Sequence, residues 1–248
     1  MPEIIVLISV FLIGVLASFF GTMVGGGTLL SIPFLMMIGL PPQVAIATER
    51  FGGIGQVVAS FLKFFKSGKI VWKYLLGLTI ISVAGSLIGA NILVNIDPAI
   101  LHNMIGIMIL VLLPLLFLKK DLGIQHATVS KTRIIVGSAL YFLLQIFAAF
   151  FGGGTGILIA YTLMFCFGLT IIEATATKTV PWFFVSVASL SVFAVNGIIN
   201  YKLGVIMLVG MSIGGHLGAC TALKKGNVWL KRLFLFFVII SVVKLLFF

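Results

Sequence analysis

Apolar residues fill this chain in long, nearly uninterrupted blocks, without the strict alternation of a half-buried strand or the one-sided stripe of a surface helix. A transmembrane helix needs about 20 such residues, or about 17–25 with tilt. Blocks of that length lie at about 4–24, 43–65, 71–94, 99–118, 134–151, 174–196, 203–222 and 229–247. Two further pieces, Thr28 to Leu40 and Thr155 to Leu169, fall short of that length. Each reads as a short span, a re-entrant piece or half of a broken helix.

Composition makes the membrane reading firm. Of 248 residues, 61% are hydrophobic and 8% charged, whereas a soluble domain carries about 25% charged side chains. Too few polar groups remain to cover a water-facing surface. The expected fold class is an all-α polytopic membrane protein, multi-pass in the cell inner (cytoplasmic) membrane with the lipid bilayer as its surroundings. Soluble enzymes, disordered tails and disulfide scaffolds are excluded. The start, Met1-Pro2-Glu3, has no basic stretch and no small-residue cleavage site, so the first block is expected to be a retained helix. Cys166 and Cys220 sit in apolar runs without a CxxC and read as packing residues. A net charge of +11 would indicate nucleic acid in a soluble domain. Here it is better read as the Lys/Arg bias of cytoplasmic loops, and no nucleic-acid partner is expected.

The blocks repeat. Gly25-Gly26-Gly27-Thr28 recurs as Gly152-Gly153-Gly154-Thr155, each preceded by a Phe pair, Phe19-Phe20 and Phe150-Phe151. After a small length change, Gly39-Leu40 matches Gly168-Leu169, and Ala45 to Thr48 matches Ala174 to Thr177. Gly68 to Lys73 then matches Gly197 to Lys202, and Gly85 with Gly89-Ala90 matches Gly214 with Gly218-Ala219. An ordered series of this kind predicts two homologous halves: a first transmembrane repeat over 1–118, a basic cytoplasmic linker over 119–133, and a second repeat over 134–248.

Charge placement orients the halves. Basic clusters occur at Lys63, Lys66, Lys69 and Lys73, at Lys119, Lys120, Lys131 and Arg133, and at Lys224, Lys225, Lys231 and Arg232. If the short pieces cross, each half has five spans, the halves are inverted, and all three clusters face the cytoplasm, with Asp97, Lys202 and both termini outside. If they do not cross, eight spans with short re-entrant pieces result, and the first and third clusters fall on opposite sides. Inverted five-plus-five repeats are the preferred expectation.

Interrupted hydrophobic segments at equivalent places in inverted repeats point to the binding site of a secondary transporter. Glycine runs let the backbone leave helical geometry and approach a ligand, and a helix restarting at Thr28 or Thr155 favours an anion. The competing reading is that the runs only permit tight helix packing. Ionisable residues inside the membrane are costly and functional by default; Glu49, Arg50 and Lys178 are of this kind. Either Arg50 or Lys178 binds an anion while Glu49 neutralises the other cation or carries a proton, or a Glu49–Lys178 salt bridge locks the halves, or the side chains snorkel. Thr48 and Thr177 lie beside these charges. Gln56, Ser60, Ser186 and Ser189 read as interhelical hydrogen bonding. His216 reads as a packing residue more than as a proton relay, and Gly85/Gly89 and Gly214/Gly218 as helix contact faces. Gly210 to Gly214 fits G-x-S-x-G, but inside an apolar helix and not at a strand-to-helix turn.

At this point the chain resembles the TauE/SafE sulfite exporter family, also called TSUP. The resemblance rests on Gly25-Gly26-Gly27-Thr28, Ile32-Pro33, Gly39-Leu40-Pro41 and Ala45 to Thr48, with a weaker echo from Gly152 to Thr177, and covers nearly the whole chain. It implies a transporter of sulfite, sulfonates, thiosulfate or related organic anions. The family pattern commonly continues with small residues, where this chain has Glu49-Arg50 and Lys178-Thr179.

The expected function is a secondary transporter moving a small anion by alternating access, coupled to an ion (proton or sodium) or to the membrane potential. An anion channel is the runner-up, ahead of an intramembrane enzyme or scaffold. The expected substrate-binding residues are Gly25, Gly26, Gly27, Thr28, Thr48, Glu49, Arg50, Gly152, Gly153, Gly154, Thr155, Thr177 and Lys178. No catalytic residue, metal ligand or cofactor is expected.

Overall fold

A computed structural model describes residues 3–97, 122–150, 152 and 154–247. The block expected at about 99–118, and with it Lys119, Lys120 and part of the linker, lies outside the described residues. The rest is helical: α1 (Glu3–Val24), α2 (Thr28–Met37), α3 (Pro42–Lys66), α4 (Leu75–Asn95), α5 (Lys131–Phe150), α6 (Thr155–Phe167), α7 (Ile171–Val195) and α8 (Tyr201–Phe247). Among the described residues, five helical stretches are long and apolar enough to cross a membrane: Glu3–Val24, Trp72–Asn95, Lys131–Phe150, Ile171–Val195 and Tyr201–Leu233. The protein is therefore a polytopic membrane protein. α3 has the length of a span, but Glu49, Arg50, Lys63 and Lys66 dilute its apolar character.

Helix ends follow local chemistry. Pro41 and Pro42 open α3, where a missing N–H costs nothing. Thr170 and Glu173 form a capping box at the start of α7. The two C-terminal blocks, read as separate spans, are two helices that meet at a kink inside α8, where Gly226 with φ 80° and ψ 177° leaves helical geometry.

Small residues let the helices approach closely. Along α8, Gly210, Gly214 and Gly218 face the backbone of Phe11, Val15 and Phe19 in α1. Both series rise together, so α1 and α8 run parallel. Along α4, Gly85 faces Phe142 and Ile146, and Gly89 faces Ile146 and Ala149, so α4 and α5 also run parallel. α3 follows α8 in the same sense, with Phe51 against Gly204 and Gln56 against Gly215. The most extensive packing is therefore crosswise: α1 and α3 hold α8, while α5 and α7 hold α4. Since α1 and α3 point the same way, α2 and its flanks carry the chain back between them. At about 1.5 Å per residue, the ten residues of α2 cover only about 15 Å of that return.

These directions separate two ends of the bundle. At one end, Tyr74 packs edge-on against Phe167, with ring centroids 5.1 Å apart. There Arg133 donates to the Phe165 carbonyl, Asn227 Nδ2 donates to the Ile124 carbonyl at 3.1 Å, and Lys231 Nζ to the Leu122 carbonyl at 2.9 Å. His126 Nε2 meets Glu173 Oε1 at 2.8 Å at the same end. The described basic clusters gather here. Glu3 pairs with Lys202 at the opposite end, where Gln43 Nε2 donates to the Ile96 carbonyl at 3.3 Å.

A tight crossing joins the two glycine-run segments. Gly25 has φ +88°, and a Cβ added there would lie 2.3 Å from the Gly156 carbonyl carbon. Gly39 has φ +99° but nothing within 4 Å of its Cβ position. Gly25→Ala is expected to destabilise the protein by about 3 kcal/mol or more, and Gly39→Ala by only the left-handed backbone cost of about 1–2 kcal/mol. Thermal unfolding of the two purified variants measures the difference.

Candidate functional site

Where the glycine-run segments cross, the helices cannot close completely, and a cavity of about 50 Å³ remains. That volume admits a few waters or one small ion, since a single water needs about 10–15 Å³ on the same measure. Its wall comes from both halves: Gly21, Thr22, Gly25, Gly27 and Thr28 at the α1–α2 break; Glu49, Arg50, Gly53, Gln56, Val57 and Ser60 on α3; Gly152 and Gly156 at the α5–α6 break; and Thr175, Lys178, Thr179 and Trp182 on α7. The residues on α7 recur at three- and four-residue spacing, as do those on α3, so each helix offers one face.

All three charged side chains of the wall are buried, with relative exposures of 5% for Glu49, 2% for Arg50 and 8% for Lys178. Arg50 donates through one terminal nitrogen to the Ala148 carbonyl, and its guanidinium carbon lies 5.2 Å from the centre of the Trp182 ring. Its Nε is buried without a hydrogen-bond partner. Lys178 Nζ donates to the Gly156 carbonyl at 3.4 Å. Glu49 Oε1 accepts from Ser31 Oγ at 3.4 Å. Among the described residues the ion pairs are His126–Glu173 and Lys202–Glu3. A Glu49–Lys178 salt bridge between the halves, one of the sequence alternatives, is not formed. Arg50 is held by a carbonyl and an aromatic face, so it does not snorkel.

The threonines divide into two kinds. Thr28 Oγ1 and Thr155 Oγ1 both donate to the Gly152 carbonyl, at 2.8 and 2.9 Å, and so brace the crossing of the glycine runs. Thr48 and Thr177 do not line the cavity. Thr48 Oγ1 accepts from the backbone N–H of Asn200 at 3.0 Å, and Thr177 Oγ1 accepts from that of Val71 at 2.9 Å. The Thr48 bond reaches the turn before α8 and the Thr177 bond the turn before α4, and both connect positions that the sequence matches between halves.

Of the residues expected from sequence, the cavity brings together Gly25, Gly27, Thr28, Glu49, Arg50, Gly152 and Lys178. Gly26, Gly154 and Thr155 flank it, and Gly153 lies outside the described residues. Gln56 and Ser60, read as ordinary interhelical contacts, belong to the wall, with Gln56 Nε2 donating to Thr22 Oγ1 at 3.2 Å. Trp182 and Thr175 were missed, though their spacing from Lys178 on one helical face carried the signal. His216 is exposed, its Nε2 3.5 Å from Cys220 Sγ, away from the cavity. Ser212 bonds the Leu208 carbonyl of its own helix, as the dismissal of the G-x-S-x-G match requires.

Residues 10–245 match the family described as Sulfite exporter TauE/SafE. The chain belongs to this family. Relatives named as probable membrane transporter proteins lie at similar full length. One from Haemophilus influenzae is 30% identical, covering 89% of this chain and 87% of its own. One from a Sinorhizobium species, ORF9, is 28% identical over 95% and 90%, and YfcA of Escherichia coli K12 is 26% identical over 88% and 81%. No solved structure matches the chain. The TauE/SafE membership and these relatives make it a multi-pass membrane transporter.

Thr48→Val and Thr177→Val each leave a backbone N–H unpaired in the opposite half. Both are expected to cost about 1–3 kcal/mol and to lower the unfolding temperature by similar amounts, whereas Ser substitutions, which keep the accepting hydroxyl, avoid most of that loss. Thermal melts of the four variants check this.

Proposed function

We propose that this TauE/SafE protein is a secondary transporter that binds a small anion in the cavity between Arg50 and Lys178 and exposes it alternately to the two sides of the membrane. The observation that carries the reading is the buried Lys178 ammonium. It sits inside a membrane bundle with a single 3.4 Å carbonyl contact and, among the described residues, no carboxylate partner. A cation left in that state is stabilised by a bound anion. Arg50 Nε is a second unclaimed donor in the same wall. The family's name makes sulfite the first anion to test, with sulfonates, thiosulfate and small carboxylates beside it.

Two inverted repeats supply the machinery for alternation. Three observations support this reading: the crosswise packing of α1 and α3 on α8 and of α5 and α7 on α4, the opposite directions of the two sets, and the matched pair of threonine bonds. The gathering of described basic clusters at one end supports a cytoplasmic face there. Halves of this kind can exchange conformations by rocking around a fixed central site. The chain carries no nucleotide-hydrolysing motif, so any accumulation draws on an ion gradient, the membrane potential or a partner protein.

Lys178→Met is expected to weaken binding of the preferred anion by about 10- to 100-fold, the loss of one charge-assisted contact, with little change in unfolding temperature. Lys178→Arg restores binding in part, because a planar fork replaces a compact ammonium. The charge swap Glu49→Lys with Lys178→Glu does not rescue binding, because the two side chains form no pair. Ligand-dependent thermal shifts across the anion series give the affinities. Liposome flux that saturates with substrate supports the transporter, and linear flux with single-channel currents supports a channel instead.

A further inference from the structure

The cavity holds three charges that do not cancel one another by contact. Glu49, Arg50 and Lys178 are the titratable or permanently charged side chains among its described lining residues, and no ion pair joins any two of them. Arg50 is committed to the Ala148 carbonyl and the Trp182 ring, Lys178 to the Gly156 carbonyl, and Glu49 to the Ser31 hydroxyl. Among the described residues, the elements packed around Glu49 bring no further acid or base to it. α2 offers Ser31, α1 offers Gly21 and Thr22, and α8 meets α3 through Met207 and Met211, with His216 on its exposed face. Tyr141 of α5 is turned to Ser82 of α4.

The charge of the loaded site then follows from the charge of its ligand. With Glu49 ionised, the empty site carries one net positive charge. A monoanion brings it to neutrality. A dianion would leave one net negative charge buried at membrane depth, which is costly. One proton on the Glu49 carboxylate removes that charge. We infer that Glu49 sets the valence rule of the site: monoanions bind with Glu49 ionised, and dianions bind only together with one proton, taken from water onto the Glu49 carboxylate. The inference rests on the reading of the cavity as an anion site, and it makes this chain a proton-coupled carrier for dianions alone. A proton taken up on binding means that dianion affinity falls as pH rises, by about tenfold per pH unit where Glu49 is otherwise ionised.

The purified full-length protein, weakly buffered at about pH 7.5 with an indicator dye, is titrated with sulfate as the dianion and methanesulfonate as the monoanion, and thermal shifts give the affinities. The rule predicts about one proton taken up per sulfate bound and none per methanesulfonate. Glu49→Gln binds sulfate without proton uptake and without the pH slope, whereas Glu49→Asp keeps both. Equal proton uptake for the two anions, uptake that survives Glu49→Gln, or binding of the monoanion alone at every pH overturns the rule. If Glu49→Gln does not fold, the comparison of the two anions on the unaltered protein decides. Absence of binding by sulfate, methanesulfonate and every anion of the series defeats the anion-site reading itself, and the valence rule with it.

Discussion

Two cations held inside an apolar bundle are the costliest feature of this protein, and the architecture around them is built from what makes them tolerable. A charged group in hydrocarbon must find dipoles or counter-charges within the protein. Carbonyls supply the dipoles: Ala148 for Arg50 and Gly156 for Lys178. Both carbonyls belong to the region where helices end and restart. Residues without side chains bring that backbone within reach. Gly25 and Gly156 touch where any Cβ would collide, and Thr28 and Thr155 fasten the crossing through the carbonyl of Gly152.

The same crossing places the site between two halves that hold each other. α8 belongs to the second half but packs chiefly on the first, and α4 does the reverse. Thr48 and Thr177 complete the exchange, accepting an N–H from the turn before α8 and from the turn before α4 respectively. In the proposed alternating mechanism, motion of one half would reach the cavity wall directly, since α3 and α7 carry both the threonines and the charges. The threonine lies one or two residues before the ionisable side chains, close enough for a change in the turn to reorient them.

Much of this was legible in the sequence, for physical reasons that also mark where legibility stopped. Repeated glycine runs, the short helices after them and the charges in otherwise apolar helices each leave a one-dimensional mark, and the cavity gathers most of the residues so marked. Partnership across helices leaves no such mark. Thr48 and Thr177 were correctly placed beside the charges but read as ligands, because position along a helix does not reveal that the hydroxyl faces a turn of the other half. The Glu49–Lys178 pairing was one of several open alternatives for the same reason: opposite charges in two helices look like partners until carbonyls and an aromatic ring are seen to hold them apart. Gly156 and Trp182 escaped because one glycine after a run, and one aromatic in a Phe-rich chain, stand out only in three dimensions. The break read between the last two blocks falls at Gly226, whose positive φ parts the two helices.

The central claim is spatial: the anion sits in the cavity between Arg50 and Lys178, enclosed by both glycine-run segments. Anomalous diffraction from crystals of the protein soaked in selenate locates that anion without reference to transport. The account predicts a selenium peak inside the cavity, in contact with Lys178 Nζ and Arg50. Peaks confined to the basic end of the bundle, near Lys63, Lys66 or Arg232, with none in the cavity, would contradict it.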